Sequence, residues 1–283
     1  MSGLTIVSPT AGEGKTAITC ALARALPRLF DSYVRIGSDA SDATFVGSAI
    51  GLSGAGTRPL RECETLTQDR ALVVAAYAGD RTAQIIATHV DGHRSSVVGA
   101  IVTGAPNGAA GNAALRAQFA DRGLPLFGAI PETRSLRAAT VAELAAFLGA
   151  DVIAGADGLG APVESFMVGA MSHVSGVPYF NRMTRKAVVC GGNRIDVQLA
   201  ALGTPCQCIV ATGGVTPDPV VLERAEVEGV PIVCVEAEAV ETLDRVSAFL
   251  RATRFRHADK VEVIHALAAR HLDLSAFAAA IAN

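Results

Sequence analysis

The sequence has no tryptophan, and aromatic residues make up only 5% of its 283 positions. Charge is scarce as well, at 18%. Lys and Arg number 24 against 27 Asp and Glu, a net charge of −3, so there is no basic field to recruit nucleic acid or anionic lipid. Long apolar runs are missing. The longest, Ala71 to Ala78, falls far short of the ~20 residues that a membrane-spanning helix requires. The stretch MSGLTIVSPT lacks the basic and then apolar segments of a secretory signal. These absences predict a soluble, cytoplasmic protein with neither nucleic acid nor membrane as partner.

The six cysteines form no CxxC pair, so the expectation is reduced, buried thiols and no disulfide framework. Cys206 and Cys208, two apart in the strand-like run CQCIVAT, are expected on one core-facing side. Zinc would need two further ligands that nothing nearby supplies. His89 and His93 have the spacing of one helix face, but Gly92 between them predicts that the helix is ending there.

What is present is apolar material: half the residues are hydrophobic, enough for two cores at ~150 residues per domain. Short apolar strands alternate with Ala/Leu-rich helices along the chain. Strands are expected at 4–7, 33–36, 71–77, 97–103 and 124–129, then at 186–190, 207–211 and 231–235. Such alternation predicts an α/β fold with a mostly parallel sheet covered on both faces. Residues 53–69 show no periodicity and read as a loop. The Gly/Ala/Pro stretch at 154–162 is the expected boundary between a domain at 1–158 and a smaller α/β domain at 159–283. Helices at 260–270 and 274–282 would close the second.

The segment Ser8-Pro9-Thr10-Ala11-Gly12-Glu13-Gly14-Lys15-Thr16 lies between the first strand and the first helix. Small residues there let backbone N–H groups approach phosphate oxygens. A Lys supplies a point charge, a Thr hydroxyl can meet Mg²⁺, and the helix N-terminus adds partial positive charge. Thr10, Gly12, Glu13, Gly14, Lys15 and Thr16 are therefore the candidate cofactor-binding residues, for ATP or another nucleotide with Mg²⁺. The first glycine of the usual motif would fall on Pro9. The plain alternative is a strand-to-helix turn with a lysine on its first turn.

SPTAGEGKT resembles the variant phosphate loops of the dethiobiotin synthetase-like and chromosome-partitioning ATPases, which often lack that first glycine. SDASDATF is similar to the D-x-x-D segment of the phosphotransacetylase N-terminal module, VVGAIVTGAP to its "GvviNgvP" strand, and GLPLFGAIPETRSLRAATVAEL to the run that follows. ESFMVGAM, KAVVCGGNRIDVQLAAL and CIVATGGVTPDPVVLERAEVEGVPIVCV resemble the DRTGG domain. The resemblance implies a P-loop NTPase-like domain followed by a regulatory DRTGG-like domain. It covers only what precedes the transferase domain in full-length relatives, so acetyl transfer is not expected of these residues.

Three departures from that pattern bear on function. No apolar strand ending in Asp or Glu is left over for the carboxylate that orders metal and water; Asp80, three residues beyond a strand, is a poor substitute. Thr103 stands where the family has an asparagine that reads the purine edge. Asn193 stands where the DRTGG segment commonly has Asp. Asp39 and Asp42 remain as candidate catalytic groups, with Thr16 and Asp42 as the Mg²⁺ set, or else as an ordinary turn and helix cap.

In the second half, Gly191, Gly192, Asn193, Arg194 and Asp196 follow one strand, and Thr212, Gly213 and Gly214 the next. They form a candidate crevice for an anion or ribose, or else tight turns with a local ion pair. The expected function is a nucleotide- or phosphate-responsive regulatory protein, more a sensor than an enzyme, self-associating, with a dimer favoured. The alternatives are an ATP hydrolase or carboxylate-activating ligase, and a scaffold that binds nothing.

Overall fold

The computed structural model describes residues 3–36, 40–52, 54, 56–66, 69–106, 109–170, 173–253 and 255–282. It divides into two compact units, Met1–Leu136 with Phe255–Asn283, and Arg137–Arg254. The boundary expected near residue 160 therefore falls inside the second unit, and the two C-terminal helices belong to the first.

The first unit runs β1 (Leu4–Val7), α1 (Lys15–Ala25), β2 (Ser32–Arg35), α2 (Ala40–Ile50), β3 (Pro59–Glu62), β4 (Ala71–Ala76), α3 (Thr82–His89), β5 (Val97–Ala105), α4 (Ala109–Ala120) and β6 (Leu126–Pro131), ending near the short α5 (Arg134–Arg137). Its six strands form one parallel sheet, ordered β2-β3-β1-β4-β5-β6. A sheet buried on both faces needs strands that are apolar throughout, as ALVVAA in β4 is. One face packs Leu4, Ile6, Leu72, Val74 and Ile101 against Ile18 and Leu22 of α1. The other packs Val7, Val73, Ala75 and Val102 against Ala83 and Ile86 of α3 and Leu115 and Phe119 of α4.

The second unit contains β7 (Ala139–Thr140), α6 (Val141–Leu148), β8 (Asp151–Ala154), β9 (Pro162–Val163), β10 (Ser165–Val168), α7 (His173–Phe180), β11 (Lys186–Gly191), α8 (Ile195–Leu202), β12 (Cys206–Thr212), α9 (Pro219–Glu228), β13 (Ile232–Cys234) and α10 (Ala239–Ala252). Its sheet is ordered β10-β11-β12-β13-β8, with β8 the antiparallel member. Local chemistry sets these boundaries. Thr140 and Glu143 form a reciprocal capping box at the start of α6, and Gly149 ends that helix at φ 62°. Asp218 caps α9 ahead of Pro219, and Gly229 closes it.

The chain then returns to the first unit as α11 (Ala258–His271) and α12 (Leu274–Ala282). Ile264, Ala268, Phe277 and Ile281 are buried in the same cluster as Leu22 of α1. Phe277 meets Phe127 edge-on, ring centroids 5.2 Å apart. Arg70 donates to the carbonyls of Ala280 and Ile281, 2.6 Å each, supplying partners for carbonyls that the last turn of α12 leaves over.

Two strand expectations are corrected. Residues 53–69 are not all loop: Pro59–Glu62 is a parallel strand between β1 and β2. Cys206 and Cys208 lie on opposite faces, Cys206 packing with Ile209 and Cys208 with Val210. The cause is a register shift at Gln207, since Lys186 pairs with Cys206 but Ala187 with Cys208, and one inserted residue reverses the alternation.

Candidate functional site

The loop at residues 8–14 leaves the carboxyl end of β1 and feeds α1. Its glycines do what only glycine does readily: Gly12 has φ 82° and Gly14, the residue that begins α1, φ 91°. No side chain caps α1. Helix geometry gives the N–H groups of Lys15, Thr16 and Ala17 no intrahelical acceptor, so this end is polarised toward negative charge.

Side chains brace the loop from within. Lys15 Nζ donates to Ser8 Oγ at 2.8 Å, and Ser8 Oγ donates to the Thr10 carbonyl at 2.6 Å. Glu13 reaches back to Thr10, accepting from its hydroxyl at 2.8 Å and from its N–H at 3.3 Å. Thr103, at the end of β5, donates to the Glu13 carbonyl at 2.8 Å, and its methyl group lies beneath Gly14. Thr103 is thus a strut under the loop, and its hydroxyl is engaged by the backbone. Lys15 and Thr16 are part-buried, whereas Thr10, Ala11 and Gly12 are exposed.

Beside Thr16 lies a buried carboxylate that the sequence pattern did not single out, Glu62, the last residue of β3. It is 1% exposed, and Thr16 donates to its Oε2 at 3.1 Å. Tyr33 donates to Oε1 at 3.0 Å. Arg35 Nη1 donates both to Glu62 Oε2, at 3.0 Å, and to Thr16 Oγ1, at 3.2 Å. Burial pushes the Tyr33 phenol and the nearby Cys20 thiol upward, Cys20 to about 12, and the Glu62 charge adds to both shifts. Among the described residues no cluster of three or more His, Cys, Asp or Glu is placed to hold a metal. The donor set at Thr16 and Glu62 does not fit a divalent ion either, because a guanidinium nitrogen already bridges the two oxygens. Asp39 lies outside the described residues, as does the side chain of Asp42. Asp80 is exposed, 3.5 Å from Gln118 Nε2.

His89 ends α3, and Gly92 follows at φ 79°, as the spacing predicts. Burial holds His89 below the ordinary histidine value; Glu13 opposes this, while Lys15 and His93 reinforce it. Its buried Nε2 has no hydrogen-bond partner among the described residues.

In the second unit, the glycine pairs do flank the carboxyl ends of β11 and β12, but their amides are engaged. Gly192 N donates to the Thr212 carbonyl, Gly213 N to Ala237 and Gly214 N to Val235, at 2.9–3.0 Å. Gln198, fully buried in α8, donates to the carbonyls of Gly191 and Gly192, 3.0 Å each. A Cβ on Gly192 would collide with the Val215 carbonyl, and one on Gly214 with the Glu236 carboxylate. Thr212 is buried, its hydroxyl 3.4 Å from the Cys190 carbonyl. Arg194 and Asp196 form a two-pronged pair at 3.0 and 3.1 Å, which lowers the Asp196 carboxyl. Asn193 places its Oδ1 against Gly191. The three glycine amides hold neighbouring strands and turns together, and the carboxylates of Glu238 and Glu236 stand beside Gly213 and Gly214.

A family model described as the DRTGG domain matches residues 143–249, all within the second unit. Among solved structures, the chain is similar to the CBS and DRTGG domains of the regulatory region of Clostridium perfringens pyrophosphatase, determined with the activator diadenosine tetraphosphate. Identity is 15% and the TM-score 0.35, over 41% of this chain and 48% of that one, so the match spans about half that structure's length. No helix among the described residues is long and apolar enough to cross a membrane.

Proposed function

We propose that the first unit is a P-loop NTPase-like domain that binds a phosphate-bearing ligand, ATP or another nucleotide, on residues 8–16. The observation that carries this is the junction itself: an uncapped helix N-terminus entered through left-handed Gly14, with Lys15 and Thr16 on its first turn. Phosphate oxygens satisfy such N–H groups, and the lysine adds a full charge. On this reading Lys15 exchanges Ser8 Oγ for phosphate when the ligand arrives.

The role is regulatory, with the DRTGG-like unit as the part that reports. The proposal includes self-association through that unit, supported by the exposed aliphatic side chains of Val168, Ile195, Val215, Val220 and Val240. Light scattering measures it. Calorimetric titration with ATP and ADP tests the ligand: binding that Lys15→Ala abolishes supports the reading, and no binding below millimolar concentration overturns it.

A further inference from the structure

The phosphate loop of this protein carries its own cation. Arg35 and Glu62 are register partners at the ends of β2 and β3, so the backbone pairing brings them face to face. Arg35 Nη1, Thr16 Oγ1 and Glu62 Oε2 form a closed triangle with edges of 3.0, 3.1 and 3.2 Å. The hydroxyl beside the phosphate loop and the nearest buried carboxylate are the two protein oxygens that a divalent ion would bridge. Here a guanidinium bridges them.

We infer that Arg35 replaces the divalent ion, so that the loop binds its phosphate ligand without metal. The inference rests on the phosphate-loop reading above. A bare Glu62 carboxylate would repel an incoming phosphate, and a divalent ion ordinarily removes that repulsion. The single positive charge of Arg35 already cancels it. Its side chain is only 17% exposed, and it is held by charge-assisted bonds that an entering ion would have to break. Thr16 Oγ1, donating to Glu62 and accepting from Arg35, is committed in the same way.

The test is calorimetric titration of the whole chain with ATP, once in excess EDTA and once in excess magnesium chloride. The inference expects dissociation constants within about threefold of each other. Binding in magnesium that weakens about tenfold or more in EDTA overturns it. ATP bound in neither buffer overturns the phosphate-loop reading itself, and the inference with it. A second measurement uses Arg35→Met/Glu62→Gln, which removes both charges together and leaves no buried carboxylate unpaired. Melting followed by circular dichroism establishes that the variant folds. Its affinity for ATP in EDTA is expected to stay within about threefold of wild type, because the carboxylate and the cation that cancels it leave together, whereas Arg35→Met alone, which bares Glu62, is expected to lose at least about tenfold in EDTA. A double variant that loses as much as Arg35→Met, or an Arg35→Met that loses nothing, would sink the assignment.

Discussion

Arg35 Nη1 stands 3.0 Å from Glu62 Oε2 across two neighbouring parallel strands, and Glu62 is 1% exposed. Removing only the arginine strands a charge in a dry place, whereas removing both does not. Arg35→Met is therefore expected to destabilise the first unit by about 3–5 kcal/mol. Adding Glu62→Gln should recover more than half of that loss. Urea denaturation of the two variants checks both values, and equal midpoints for single and double variants would refute the coupling.

Gly14 tests the loop geometry. Its φ of 91° is unfavourable for any L side chain, and a Cβ there would press on the Thr103 methyl at 3.3 Å. Gly14→Ala is expected to cost about 1–2 kcal/mol and to abolish ATP binding. Thr103→Val keeps the shape and loses only the bond to the Glu13 carbonyl, at about 0.5–1.5 kcal/mol. Thermal melting ranks the two. A larger loss for Thr103→Val than for Gly14→Ala would place the strain elsewhere.

His89 predicts a pH response. Its folded value lies below the 6.5 of an unperturbed histidine, chiefly through burial. Between those two values the unfolded chain holds more protons than the folded one, so stability rises with pH across that window. On acidification, stability begins to fall near pH 6.5, and the full penalty is in place below the folded value. His89→Gln should flatten this part of the Tm–pH curve. Parallel curves for wild type and variant would remove His89 as the cause.

Phe277 tests which core owns the C-terminal helices. It is 1% exposed and packed edge-on against Phe127. Phe277→Ala is expected to cost the first unit about 3–5 kcal/mol. Amide exchange should speed up in β1, α1 and β6 while the amides of β11 and β12 keep their wild-type protection. Faster exchange in the second unit would overturn the division.

The turn from β1 into α1 was legible because its chemistry is local: glycines and a lysine after a short apolar strand need no distant partner to be read as a strand-to-helix junction. β3 was not. PLRE offers Leu60 as its one strongly apolar residue, and what makes it a strand is hydrogen bonding to β1 and β2 on its two sides. The polar end of that strand, Glu62, makes sense only beside Arg35 and Thr16, from elsewhere in the chain. The α11 and α12 patterns identified helices with one buried face, but an amphipathic pattern does not say whose core the face joins. At Cys206 and Cys208, strict alternation failed because nothing in CQCIVAT announces a bulge.

The return of α11 and α12 to the first unit has a consequence for the order of events at the ribosome. The cluster around Leu22 and Leu72 lacks Ile264, Ala268, Phe277 and Ile281 until α11 and α12 have been made. Translating the intervening Arg137–Arg254 takes on the order of ten seconds at roughly 5–20 residues per second. During that interval the second unit can complete its own core while the earlier one waits with an apolar face uncovered. Synthesis order and folding order are thereby inverted between the two units: the one begun earlier is completed later.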